Sequence, residues 1–276
     1  MKLSWFVSSV SAFALTAALT LGVGGVAHAD GKAERRPAER AAATGYVALG
    51  DSYSSGVGAG GYDANSGSCK RSTKAYPALW AAAHKPSSFA FTACSGARTG
   101  DVLSGQLGPL SASTGLVSIS VGGNDAGFAD TMTTCVFNGD SACLSRIDRA
   151  RAYISGTLPG QLDKVYSAIS AKAPAARVVV IGYPRFYHLG GGCIGGLSEK
   201  KRSAINAAAD HIDTVIAKRA ADHGFAYADI NTTFAGHEIC SGKPWLNSVA
   251  LPVDESYHPN AAGQSGGYLP VFASAA

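Results

Sequence analysis

Several things are scarce in this chain, and each scarcity excludes something. Past Val26 there is no apolar run long enough to span a bilayer, so no integral membrane association is expected of the rest. Charge is sparse: 15% of the residues are Asp, Glu, Lys or Arg, with 23 basic against 19 acidic. The only basic cluster is Lys200-Lys201-Arg202, inside a helical pattern, where it reads as a solvated face. Nucleic acid is therefore not an expected partner. Neither C-x-x-C nor H-E-x-x-H occurs, so zinc is a weak alternative for the cysteines, and no metal or cofactor is expected. No internal repeat is evident, and no extended apolar lid stands out, which favours an open groove.

The first residues are what an export signal needs. Lys2 gives a positive start, Trp5 to Val26 an apolar middle, and Ala27-His28-Ala29 a small-x-small cleavage site. A membrane anchor is the competing reading, disfavoured by the many Ser, Ala and Gly residues. Residues 1–29 are thus expected to be a signal peptide removed after Ala29, and the protein to be secreted. Residues 30–44 are charged, Ala-rich and nearly free of large apolar side chains, and read as a mobile N-terminal segment. Residues 45–276 are long enough for one core and read as one domain, expected to be monomeric. All six cysteines lie in it, and an even count in an exported chain favours disulfides.

Apolar runs then alternate with helical patterns. Strands are expected at Gly45 to Leu49, Phe89 to Ala93, Leu116 to Val121, Arg177 to Tyr183 and Phe225 to Ile230. Helices are expected at Tyr76 to His84, with Pro77 in its first turn, at Leu158 to Lys172, and at Ser198 to His223 before Gly224. Strands separated by helices imply parallel β-α-β units. The fold class is α/β, a three-layer α/β/α sandwich.

Three blocks lie just past three of these strands. Gly50-Asp51-Ser52 follows the first, Ser95-Gly96 the second, and Gly122-Gly123-Asn124-Asp125 the third. In a parallel sheet those ends share one edge, where such folds place their chemistry. A fourth block, Asp254-Glu255-Ser256-Tyr257-His258-Pro259, lies far downstream. A serine, a histidine, a flexible glycine and an amide are the parts required for acyl transfer.

In that order the blocks resemble the SGNH hydrolases, also called GDSL lipases or esterases, and secreted actinomycete members most closely. The resemblance spans Gly50 to Gly263. It implies a flavodoxin-like strand order, a serine ester hydrolase acting on lipids through an acyl-enzyme, and no cofactor. It assigns Ser52 as nucleophile, His258 as base, and Ser52 N–H, Gly96 N–H and the Asn124 amide as oxyanion donors. It also implies the pairs Cys69 with Cys94, Cys135 with Cys143, and Cys193 with Cys240.

One departure stands out. The family pattern puts Asp three residues before the histidine, where this chain has Glu255, with Asp254 one position earlier. Either carboxylate or the main-chain carbonyl of Ser256 could support His258, and the departure favours the carbonyl. Each block residue also has a plainer reading. Ser52 could be a helix cap, Gly96 a turn glycine, Asn124 a cap for a helix over Asp125 to Thr134, and His258 the start of the last helix. Asp51 and Asp125 are expected to brace their turns. Two motifs are set aside. Gly263-Gln264-Ser265-Gly266-Gly267 has the G-x-S-x-G spacing without a strand before it or a triad partner after it. Gly56 to Gly61 contains G-x-G-x-x-G without an abutting strand and helix. The remaining functional alternatives are a phospholipase A1, a polysaccharide acetyl esterase and, in another class, a non-catalytic secreted binding module.

Overall fold

The computed structural model describes residues 45–193 and 196–276. The expected signal peptide and the segment 30–44 lie outside the described residues.

The strands are β1 (Gly45–Gly50), β2 (Phe89–Phe91), β3 (Thr114–Ser120), β4 (Arg177–Ile181) and β5 (Ala226–Ala228). They form one sheet in the order β2-β1-β3-β4-β5, every pair parallel. This is the flavodoxin-like order that the family resemblance implies. β1 and β3 register Gly50 opposite Ser120, so both strands stop at one edge. The chain leaves β1 to one side for β2 and returns to the other side for β3. That reversal opens a crevice beyond the strand ends.

The helices are α1 (Ser52–Ser55), α2 (Tyr76–His84), α3 (Thr99–Asp101), α4 (Phe128–Phe137), α5 (Asp140–Gly156), α6 (Leu158–Lys172), α7 (Glu199–Asp222), α8 (Asn231–Phe234) and α9 (Leu269–Ala275). α2 and α9 pack together on one face of the sheet, and α5, α6 and α7 form the other layer. β1 is buried along its whole length, as a strand covered on both faces should be. Tyr46, Tyr76 and Phe272 join sheet, α2 and α9 in one aromatic cluster. Disulfides join Cys69 to Cys94, Cys135 to Cys143 and Cys193 to Cys240. Among the described residues no helix is long and apolar enough to cross a membrane.

The structure corrects several expectations. α4 begins at Phe128 rather than Asp125, because Gly127, at φ 77°, takes the left-handed conformation that opens the helix. Asn124 is therefore not its cap. The strands after Phe89 and Phe225 are three residues long, being the two edges of the sheet. Lys201 and Arg202 are not a solvated face. Both are buried: Lys201 Nζ donates to the carbonyls of Cys135 (2.8 Å) and Asn138 (2.5 Å), and Arg202 donates to those of His188 (2.8 Å) and Gly191 (3.0 Å). Carbonyls at the end of α4 take Lys201, while Arg202 is held by carbonyls of the loop before α7 and by Glu199 of its own helix, which composition cannot reveal. α5 had no counterpart in the sequence reading.

Candidate active site

Ser52 opens α1, immediately beyond β1. Asp51 caps that helix, its Oδ1 accepting from the Tyr53 N–H at 3.0 Å and from the Ser120 hydroxyl at 2.7 Å. Its Oδ2 accepts from the Tyr183 hydroxyl at 2.5 Å. Three elements of the sheet edge thus converge on one buried carboxylate. Burial pushes its pKa up to about 6, against the pull of these donors. Asp51 braces the turn, and Tyr183, which sequence reasoning did not single out, is its partner from beyond β4. Ser54 adds a second tie, with a 2.7 Å hydrogen bond to the Ser120 hydroxyl.

His258 reaches Ser52 from the other end of the chain. Its Nε2 lies 2.7 Å from Ser52 Oγ, and its Nδ1 lies 2.9 Å from the Ser256 carbonyl oxygen. A carbonyl only accepts, so Nδ1 carries the proton and Nε2 presents a lone pair to the serine hydroxyl. The last helical segment begins at Ala261, so His258 lies outside it. Main-chain pairing with a remote strand-like segment fixes the histidine instead. The Asn247 N–H donates to the His258 carbonyl at 2.9 Å, and the Tyr257 N–H to the Asn247 carbonyl at 3.0 Å. The Tyr53 hydroxyl donates to the Tyr257 carbonyl at 2.7 Å, linking α1 directly to this segment. Gly58 backs the imidazole. At φ +88° its position is left-handed, and a Cβ there would stand 2.9 Å from that of His258. Burial pulls the His258 pKa down to about 4, opposed by the Ser256 carbonyl and the charge of Asp254.

The two carboxylates nearest in sequence turn elsewhere. Glu255 Oε1 accepts from the Tyr62 hydroxyl at 2.9 Å, and that hydroxyl accepts from the Gly58 N–H at 2.9 Å. Asp254 Oδ2 pairs with Lys70 Nζ at 2.5 Å. Ser256, Glu255 and Asp254 were the candidates to support His258, and only the first has an atom bonded to its ring.

Gly96 stands on the turn after β2, tethered through Cys94 to Cys69. Its φ is +76°, and open space lies where a Cβ would be. Among the described residues, neither the Gly96 N–H nor the Ser52 N–H donates to a main-chain acceptor. Asn124 gives one amide hydrogen to the Ala97 carbonyl at 3.0 Å, which fixes the side chain and leaves the second hydrogen available. Asp125 accepts from the Thr99 N–H and, at 2.6 Å, from its hydroxyl, binding the β3 turn to α3. The G-x-S-x-G segment takes a structural part. Buried Gln264 accepts from the Tyr76 N–H at 2.9 Å and donates to the Tyr53 carbonyl at 3.1 Å.

An apolar cavity of about 80 Å³ opens from Ser52 and Asn124 into the space walled by α4, α5 and α7. Ile147, Ala150 and Ile154 of α5 line it, facing Ile212 of α7. The sequence held a signal for this wall: Cys143, Ile147, Ala150 and Ile154 recur at helical spacing, and all four are buried.

A serine and an imidazole at hydrogen-bond distance, beside an apolar cavity on a parallel sheet, are the arrangement of a serine hydrolase. The chain belongs to the GDSL-like Lipase/Acylhydrolase family, whose model matches residues 48–265. It is 67% identical over 275 residues to a lipase of Streptomyces rimosus, covering 100% of both chains. It is 72% identical over 247 residues to lipase 1 of Streptomyces coelicolor, covering 89% of this chain and 92% of that one. Two solved structures superpose over 85% of this chain and 100% of theirs. One is the extracellular lipase of S. rimosus, at TM-score 0.83 and 73% identity. The other is the phospholipase A1 of Streptomyces albidoflavus NA297, at 0.84 and 64%.

Proposed function

We propose that this protein is a secreted, monomeric lipase that cleaves acyl esters of lipids with a Ser–His dyad and no cofactor or nucleic acid partner. The observation that carries the reading is the relay from the Ser256 carbonyl through His258 to Ser52, at 2.9 and 2.7 Å. Export rests on the residue pattern of 1–29, and the S. rimosus structure is that of an extracellular lipase.

In the first step His258 Nε2 takes the Ser52 proton as Oγ attacks the ester carbonyl. The tetrahedral oxyanion meets the Ser52 N–H, the Gly96 N–H and the free hydrogen of the Asn124 amide. The imidazolium then gives its proton to the departing alcohol, leaving an acyl-serine. Water, deprotonated by the same nitrogen, attacks the acyl-enzyme and releases the fatty acid. The Ser256 carbonyl holds the imidazole in the tautomer that each step requires. It supplies a dipole where other enzymes of this chemistry place a carboxylate.

The apolar cavity suits the acyl chain. At about 80 Å³ the cavity is small, and medium acyl chains are the ones expected to fit. The test combines fluorophosphonate labelling with ester release over short to long acyl chains, triglycerides and phosphatidylcholine. Labelling is expected in the native protein and absent in Ser52→Ala, with release best at about six to ten carbons. A folded native protein that takes no label contradicts the reading and favours a binding module. Selective release from the sn-1 position of phospholipids, with triglycerides untouched, favours a phospholipase A1.

A further inference from the structure

The loop just before His258 has an unusual surface. Val249, Leu251 and Val253 are 66%, 87% and 68% exposed, making this five-residue stretch the most concentrated apolar exposure among the described residues. Scattered exposed apolar side chains need no explanation, but a cluster beside an active site does. The loop is also closed on itself. The Ala250 N–H donates to the Ser256 hydroxyl at 2.9 Å, the Glu255 N–H to the Pro252 carbonyl at 3.0 Å, and the Ser256 N–H to the Val253 carbonyl at 3.0 Å. Pro252 has no N–H to satisfy. The Ala250 N–H and the Pro252 and Val253 carbonyls are therefore paired internally, which lowers the cost of taking those groups out of water. Of the adjacent acids, Asp254 pairs with Lys70 and Glu255 accepts from the Tyr62 hydroxyl.

We infer that the 249–253 loop is a lipid-docking tip that enters the surface of aggregated lipid and sets Ser52 against it. The inference rests on the lipid-ester reading. The occupant is a lipid surface, for three reasons on the molecule itself. Residues 249–253 carry no charged side chain, Asp254 behind them pairs with Lys70, and Glu255 accepts from the Tyr62 hydroxyl, so the tip itself offers little to a strongly acidic or basic partner. It is continuous with the site, since Ser256 closes the loop with its hydroxyl and holds His258 with its carbonyl. A substrate whose ester lies at an interface must be met there, and an exposed apolar loop joined to the His258 segment provides a means.

The experiment separates docking from hydrolysis by using Ser52→Ala protein, which leaves the lipid intact. Its partition onto neutral phosphatidylcholine vesicles is compared with that of the same protein carrying Leu251→Asp and Val253→Asp. Partition is expected to fall at least about tenfold, and to change little with salt, because the contact is apolar. In the Ser52 background the same two substitutions should leave turnover of a soluble short-chain ester within about twofold, which also reports folding. If the aspartates disturb the fold, Leu251→Ser with Val253→Ser carries the comparison. Equal partition of parent and variant overturns the inference, as does a parent that does not bind vesicles at millimolar lipid. Light scattering that shows a parent dimer, broken by the substitutions, assigns the tip to a second copy of this chain and also overturns it. Loss of fluorophosphonate labelling in the native protein would instead remove the hydrolase reading, without touching vesicle binding.

Discussion

The two segments that meet at the site are built in opposite ways. The nucleophile turn, Gly50 to Gly56, is held from the interior, by a buried carboxylate that gathers donors from α1, β3 and the end of β4. The histidine segment, Asp254 to Pro259, is held by its main chain, while its carboxylates face Lys70 and Tyr62. The acid with the most buried environment thus serves the serine's backbone, and the acids nearest the histidine serve its loop. Orientation of the imidazole falls to a peptide carbonyl. A charge close to His258 is not required to fix a tautomer, since a neutral acceptor does so. What the carbonyl gives up is part of the stabilisation of the imidazolium.

That contrast can be broken or sharpened by experiment. The largest expected effect is from His258→Ala, which removes the proposed base and should lower turnover by on the order of 10⁶. A loss below a hundredfold in soluble-ester assays would mean that another group takes the proton. Asn124→Ala comes next, with a loss of about 10²–10³ in kcat and little change in KM, as expected of a donor that acts in the transition state. Loss confined to KM would return Asn124 to a structural role. Asp51→Ala tests the interior side of the comparison. It leaves the Ser120 and Tyr183 hydroxyls without their acceptor, at about 1–3 kcal/mol for each donor left unpaired. Denaturant unfolding should show the loss, and unchanged stability would show that the turn does not depend on the carboxylate.

Much of this was readable in the chain. The strands announce themselves because a parallel sheet buries both faces: β1 and β4 are near-continuous apolar runs, and β3 alternates Leu, Val and Ile with small serines. Three of the four blocks are visible because the strand ends carry glycine, asparagine and serine where packing would not choose them, and the fourth by its histidine. The wall of the cavity was hidden. α5 spends much of its surface on Asp and Arg, and only the spacing of Cys143, Ile147, Ala150 and Ile154 marks its inner face. Lys201 misled because the carbonyls that take it come from the end of α4, 66 and 63 residues earlier, and Arg202 because the loop before α7 folds back over it. The partners of Asp254 and Glu255 were equally out of reach, being set by where Lys70 and Tyr62 arrive in space.

The remaining effects are small, and their smallness is informative. With its pKa pulled down to about 4, His258 is neutral at all higher pH. kcat/KM should therefore hold on the acid side to about pH 5, whereas a carboxylate on Nδ1 would raise that pKa and bring the acid limb toward neutrality. The sign for folding is consistent. The folded pKa lies below the unfolded value of about 6.5. The stability that His258 contributes is present above that value and is lost as pH falls toward 4. A rate profile that drops near pH 7 would count against the carbonyl.

The most direct measurement is turnover of the double variant Asp254→Asn/Glu255→Gln on a soluble ester, with folding checked by thermal unfolding. A dyad supported by the Ser256 carbonyl predicts a rate within about tenfold of the native protein, a barrier change of about 1.4 kcal/mol. A fall on the order of 10⁴ in folded protein, the loss expected when a triad acid is removed, would contradict it.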